Sequence, residues 1–176
     1  MTRHALIALL ALAIAGCGFH LRNALLLPAD LGPVRVTAPD RYSPLAESLS
    51  QALTRAGATP AAEDAQDVAT LRVVSERWAN TPLSVDSFGR SQEYTLRYAV
   101  IFNLRRADGS DLVPQQALEL ARDYISVPTR SAGTEGEREI LARELRREMV
   151  ASILRRIDAA SRIPVAAEPA PATTTP

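Results

Sequence analysis

The chain has 176 residues, with 20 basic and 20 acidic side chains, and it contains no lysine, so the cations other than two histidines are all arginine. A formal net charge of +0 gives no long-range field to gather nucleic acid. A single cysteine excludes an intrachain disulfide and a zinc centre built on cysteine pairs.

The first residues carry the strongest signal. Arg3 and His4 make a short basic start, and residues 5–14 are an unbroken apolar run of ten. That is about half of the ~20 residues needed to cross a bilayer, so the run reads as the core of a signal peptide. It ends at Ile14-Ala15-Gly16-Cys17, which resembles the lipobox of bacterial lipoproteins. There the leader, here residues 1–16, is cut before the cysteine and the thiol receives a diacylglyceryl group. The alternative is an ordinary secretory signal followed by a chance cysteine. Lipidation of Cys17 leaves no thiol for a metal or a nucleophile, and two or three acyl chains hold a protein stably to a membrane. In lipoproteins of this kind an aspartate after the cysteine retains the protein on the inner membrane. Gly18 stands here, so the outer membrane is expected.

Residues 17–32 read as a lipidated tether, broken by Pro28 and Gly32. Residues 33–163 have the length of one domain. Residues 164–176 are mostly alanine, proline and threonine, and are expected to be disordered. Within the domain, Val34 and Val36 alternate with Arg35 and Thr37 as a short strand. Ser43-Pro44 is a helix start, with a capping hydroxyl before a proline at the first helical position. Leu45, Leu49, Ala52, Leu53 and Ala56 follow at helical spacing, and Gly57 is a stop. Residues 68–78 are rich in β-formers. Residues 92–105 alternate most clearly: Tyr94, Leu96, Tyr98, Val100, Phe102 and Leu104 on one face, Thr95, Arg97, Ala99, Ile101, Asn103 and Arg105 on the other.

Asp108-Gly109 signals a hairpin returning through residues 112–127, with Pro114 at a bulge or an edge. Residues 134–157 read as a long helix, opened by a Thr134/Glu137 capping box and striped by Leu141, Leu145, Met149, Ile153 and Ile157. A Glu139–Arg143 pair supports its wet side. Strand, helix, three strands and helix predict an α+β fold: a two-layer sandwich with two helices on one face of a four-stranded, mostly antiparallel sheet.

Catalytic signatures are lacking. Apart from the leader the only histidine is His20, in the tether, which is no place for a catalytic triad. No spacing suits zinc, no glycine-rich loop follows a strand, and no cofactor motif occurs. Acidic pairs such as Asp64 and Asp67 read as solvated surface. No enzyme is therefore expected. The loops opposite the Asp108-Gly109 turn are more suggestive. With residues 80–89 read as a loop there, that end carries Arg90 and Arg130, with Arg77 close by. Two guanidinium forks in that setting suit the phosphates of an anionic lipid; the other reading is two solvated arginines.

Cys17-Gly18-Phe19-His20-Leu21-Arg22 resembles the start of mature lipoproteins of the LptE (RlpB) LPS-assembly family. The likeness continues through the Ser43 helix, Gly89-Arg90-Ser91-Gln92-Glu93-Tyr94 at the start of the long strand, and the final amphipathic helix. It implies a two-helix, four-stranded sandwich that sits as a plug inside the LptD β-barrel in a one-to-one complex. It also implies help in assembling that barrel, and binding of lipopolysaccharide on its way to the outer leaflet. Family members contact lipopolysaccharide through basic residues near these loops. This chain has no lysine and its arginines are displaced by a few positions, so Arg90 and Arg130 are candidates and not a motif match. Two other readings stay open: an outer-membrane lipoprotein adaptor of a phospholipid-transport system, and a lipid-anchored hydrolase.

Overall fold

The computed structural model describes residues 27–28, 31–62, 64–85, 91–126 and 131–162. Its elements run β1 (Val34–Thr37), α1 (Pro44–Arg55), β2 (Ala69–Val85), β3 (Ser91–Arg105), β4 (Asp111–Ile125) and α2 (Ser131–Ser161). The sheet order is β1-β2-β3-β4. β1 lies parallel to β2, joined by the α1 crossover, while β2, β3 and β4 form antiparallel pairs. This is the α+β architecture that the pattern of elements predicts.

Local chemistry fixes the α1 termini. The Ser43 hydroxyl accepts from the Ala46 amide at 3.2 Å, and Pro44 occupies the first turn, where its missing N–H costs nothing. At the other end Gly57 takes φ +94, the Gly57 amide donates to Thr54 O and the Ala58 amide donates to Leu53 O, both at 3.0 Å. That double closure needs a left-handed residue, which glycine provides without strain. Leu45, Leu49, Ala52 and Leu53 face the sheet and are buried.

In α2 the stripe Leu145, Met149, Ile153 and Ile157 is fully buried, with Leu141 partly so. On its wet side Arg143 donates to Glu139 at 2.9 Å. The helix begins at Ser131, three residues ahead of the expected Thr134, so Thr134 lies inside the first turn and not at the cap. The sheet's inner face supplies Leu71, Val73, Tyr98, Val100, Phe102 and Leu104. The core also takes in Leu31, which is 3% exposed.

Two features of the sheet depart from the sequence reading. Residues 80–85 extend β2 and are not loop. Asn80, Thr81 and Pro82 look like turn residues, but they pair with Leu96, Thr95 and Tyr94 of the long β3. Among the described residues β1 pairs with β2 only as far as Arg72, and nothing pairs with that side of β2 beyond it, so proline's missing donor is tolerated there. The other departure is a bulge. The register shifts between Val73 and Ser75, leaving Val74 as the extra residue. Side-chain parity therefore flips, and Glu76 and Trp78, not Ser75 and Arg77, share the inner face with Val100 and Tyr98.

The β3–β4 turn is a hairpin as expected. Arg106 N donates to Ser110 O at 2.8 Å and Gly109 N to Arg106 O at 3.0 Å, with Gly109 at φ +84. A three-residue connection with glycine in the left-handed region replaces the two-residue turn that Asp-Gly favours most. Pro114 is doubly accommodated. It lies on the edge strand β4, and inside a register shift that sets Val113 opposite Leu104 and Gln116 opposite Phe102.

Candidate functional site

The residues singled out from the sequence, Cys17, Arg90 and Arg130, lie outside the described residues. The strand ends that flank the two arginines are described. Val85 pairs with Ser91 across residues 86–90, and Glu93 pairs with Ile125, after which the chain passes through 127–130 to α2. The ends of β2 and β4 and the start of β3 therefore lie together at one end of the sheet. Arg77, the third arginine of that reading, sits on the outer sheet face opposite Ala99.

That end of the sheet has a built floor. Tyr94 and Tyr124, opposite each other in register, stack with ring centroids 5.6 Å apart. Tyr124 is buried, and its hydroxyl accepts from Asn80 Nδ2 at 2.9 Å. Thr95 donates to Asp123 Oδ1 at 2.7 Å on the opposite face. Around this floor Leu83 is 56% and Ile125 is 60% exposed, so apolar surface remains open beside it.

Among the described residues no helix lies over the outer sheet face, which is mostly polar, with Ala99 and Ile101 the apolar exceptions on β3. Arg35, Thr37, Thr70, Arg72, Ser75 and Arg77 lie on β1 and β2, facing Arg97, Asn103 and Arg105 on β3. Arg97 pairs with Glu119 at 3.2 Å and Arg105 with Asp111 at 3.4 Å, both exposed. Such pairs add little stability, since water screens them. Their arrangement keeps the face wet and of mixed charge.

Between the sheet and the helices lies a polar cluster that periodicity alone misses. Glu76 accepts from the Ser43 hydroxyl at 3.0 Å and from the Tyr98 hydroxyl at 2.8 Å. Tyr98 stacks on Trp78 with centroids 3.8 Å apart, and the Arg146 guanidinium lies 5.8 Å from the Trp78 ring centre. Burial, reinforced by the bond to the Glu76 carboxylate, raises the Tyr98 phenol above its ordinary range. The signal that finds this cluster is the Val74 bulge, which alone brings Glu76 round to the core side.

Among the described residues no cluster of three or more His, Cys, Asp or Glu side chains is placed to hold a metal. The described residues define a class: a small open-sheet α+β domain with two helices on one face and a bare polar face on the other.

Comparison with known proteins gives that class a family. Residues 31–157 match the profile of the LptE lipopolysaccharide-assembly family, and the chain belongs to that family, which is non-enzymatic. It is 30% identical over 152 residues to the LPS-assembly lipoprotein LptE of Photorhabdus laumondii, covering 86% of this chain and 82% of the relative. It is 30% identical over 165 residues to that of Pectobacterium atrosepticum, covering 88% and 86%. Among solved structures it resembles an uncharacterized lipoprotein B from Nitrosomonas europaea, with a TM-score of 0.65 and 25% identity, covering 81% of this chain and 91% of that one. The rare lipoprotein B of Shewanella oneidensis shares the fold, with a TM-score of 0.63 and 24% identity, covering 73% and 95%.

Proposed function

We propose that this chain is an outer-membrane lipoprotein, lipidated at Cys17, that seats inside an LptD-like β-barrel in a one-to-one complex. There it supports barrel assembly and binds lipopolysaccharide near Arg90 and Arg130. The observation that carries the reading is the bare outer sheet face. A barrel lumen is polar, so a plug needs a wet surface against it. The rows of Arg72, Arg77, Arg97 and Arg105, interleaved with threonine and asparagine, supply one. The opposite face is closed by α1 and α2 and keeps the domain folded. The strand ends that flank Arg90 and Arg130 add exposed Leu83 and Ile125 beside a Tyr94–Tyr124 floor. Apolar surface at strand ends that the sequence continues into arginine-bearing segments suits an amphiphile with phosphate on its headgroup.

A mild-detergent pull-down of the full chain, read by mass spectrometry, tests the proposal. The expected result is a large outer-membrane β-barrel in equal amount, with lipopolysaccharide retained. Recovery of inner-membrane phospholipid transporter subunits alone would instead support the adaptor reading.

A further inference from the structure

A cleft of about 490 Å³ opens between α1 and α2, on the helical side of the molecule. It is lined by Ser48, Gln51 and Arg55 from α1 and by Arg143, Arg146 and Arg147 from α2. Four guanidinium groups and two uncharged hydrogen-bonding side chains meet there, with no carboxylate in the lining. Arg143 and Arg147 are partly balanced by Glu139 and Glu144 of their own helix, at 2.9 and 3.8 Å. Arg55 makes no ion pair among the described residues. Arg146 forms the inner wall. Its Nε is buried without a hydrogen-bond partner. Arg146 also neighbours the Tyr98 hydroxyl, which donates to Glu76 at 2.8 Å.

We infer that this cleft is a binding site for a phosphate-bearing ligand, held bidentately by Arg55, Arg146 and Arg147. Planar guanidinium forks match phosphate oxygens in pairs, and convergence of several on one cleft adds charge-assisted bonds that a lone surface arginine lacks. At the rim Gln51 gives one amide proton to Glu47 at 3.2 Å and keeps the second for a ligand, while the Ser48 hydroxyl donates to Pro44 O. The arginine stems and Val150 give the walls an apolar lining, which admits a lipid headgroup as readily as a free phosphate. The site lies on the helices, apart from the strand ends beside Arg90 and Arg130, and does not depend on them.

Trp78 is the sole tryptophan of the chain, and Arg146 lies over it, so its fluorescence reports on the cleft. The detergent-solubilised full chain is titrated with inorganic pyrophosphate and, separately, with dihexanoyl phosphatidic acid. Calorimetry is run in parallel. Saturable binding of pyrophosphate is expected; a comparable response to phosphatidic acid assigns a lipid headgroup, and its absence assigns a free anion. Arg55→Ser with Arg147→Ser, both exposed and outside the core, should weaken binding about ten-fold or more without moving the unfolding midpoint. Arg146→Gln should weaken it comparably, with thermal unfolding run alongside to confirm the fold. Arg155→Ser with Arg156→Ser, exposed further along α2, should change it less than about two-fold. Arg90→Asp with Arg130→Asp should leave it unchanged, which separates this site from the lipopolysaccharide reading. No saturable heat or fluorescence change with either probe, or equal loss from the Arg55/Arg147 and Arg155/Arg156 pairs, would overturn the proposal.

Discussion

The Tyr98 hydroxyl donates to Glu76 Oε1 at 2.8 Å, joining two side chains on the inner face of neighbouring strands that plain alternation would have kept apart. The bond is charge-assisted and lies beneath the helices. It ties the sheet to α1, because Ser43, the residue that caps α1, donates to the other oxygen of the same carboxylate.

Tyr98→Phe removes the donor and keeps the ring on Trp78. A loss of about 1.5–3 kcal/mol is expected, as for hydrogen bonds to charged groups. Burial, and next the Glu76 bond, raise the folded phenol above its unfolded value of about 10, so the contribution is complete below that pH and fades as pH rises through the folded value. Urea unfolding at pH 8 and near pH 11 checks both statements. The gap between wild type and Tyr98→Phe should shrink at the higher pH.

Two glycines should respond in opposite directions. Gly109 has φ +84, and an added Cβ would meet Arg105 Nη2 at 3.7 Å, an ordinary contact. The cost of Gly109→Ala is therefore backbone strain, about 1–2 kcal/mol. Gly136 lies within α2 with nothing within 4 Å of an added Cβ. Gly136→Ala should stabilise by about 0.5–1 kcal/mol through helix propensity and a less flexible unfolded chain. Thermal unfolding of both variants decides, and a shift in the same direction would refute the argument.

The two faces of α2 can be told apart by truncation. Ile153 is fully buried and Ile140 is half exposed. Ile153→Ala should cost about 2–5 kcal/mol and Ile140→Ala about 0.5 kcal/mol or less. Denaturant midpoints at constant slope would measure the difference.

Charge reversal tests the proposed lipopolysaccharide contacts. Arg90→Asp with Arg130→Asp should abolish binding of purified lipopolysaccharide, at about 1.5–3 kcal/mol per lost contact plus repulsion. Arg155→Asp with Arg156→Asp is the matched control. Full binding by the Arg90/Arg130 variant would mean that these are simply solvated arginines.

The anchor is tested separately. Cys17→Ser should stop incorporation of labelled fatty acid, because the thiolate is the acylated nucleophile. Label entering the serine variant would remove Cys17 from the proposal.

How much was legible in the sequence follows from the range of each interaction. The Ser43-Pro44 start, the Gly57 stop, the α2 stripe and the β3 alternation are set by neighbours within a few residues, and the structure matches them. The length of β2 was not legible, because Asn80, Thr81 and Pro82 have turn chemistry and only pairing with β3 makes them strand. The Glu76–Tyr98–Arg146 cluster was hidden for a related reason. A single extra residue, Val74, inverts the parity of the strand, and nothing local announces it. The cleft between the helices needed Arg55 and Arg147 to meet across 92 positions of sequence, which no periodicity reports.

The strands outrun one of their two helices. At ~3.4 Å per residue, the 15 residues of β3 reach about 50 Å, and the 31 residues of α2 at ~1.5 Å rise nearly match them. α1, with 12 residues, covers only about 18 Å. One half of the sheet is thus gripped by two helices, and the half near Tyr124 by one, where Leu83, Ile125 and Ile140 stay open to solvent. Amide protons should exchange with deuterium in that order, slowest around Leu71 and Phe102 and fastest toward Thr81 and Glu93. The domain is in effect a clamped blade: its root resists opening while its tip yields, so the tip can adjust to what it meets without unfolding the rest.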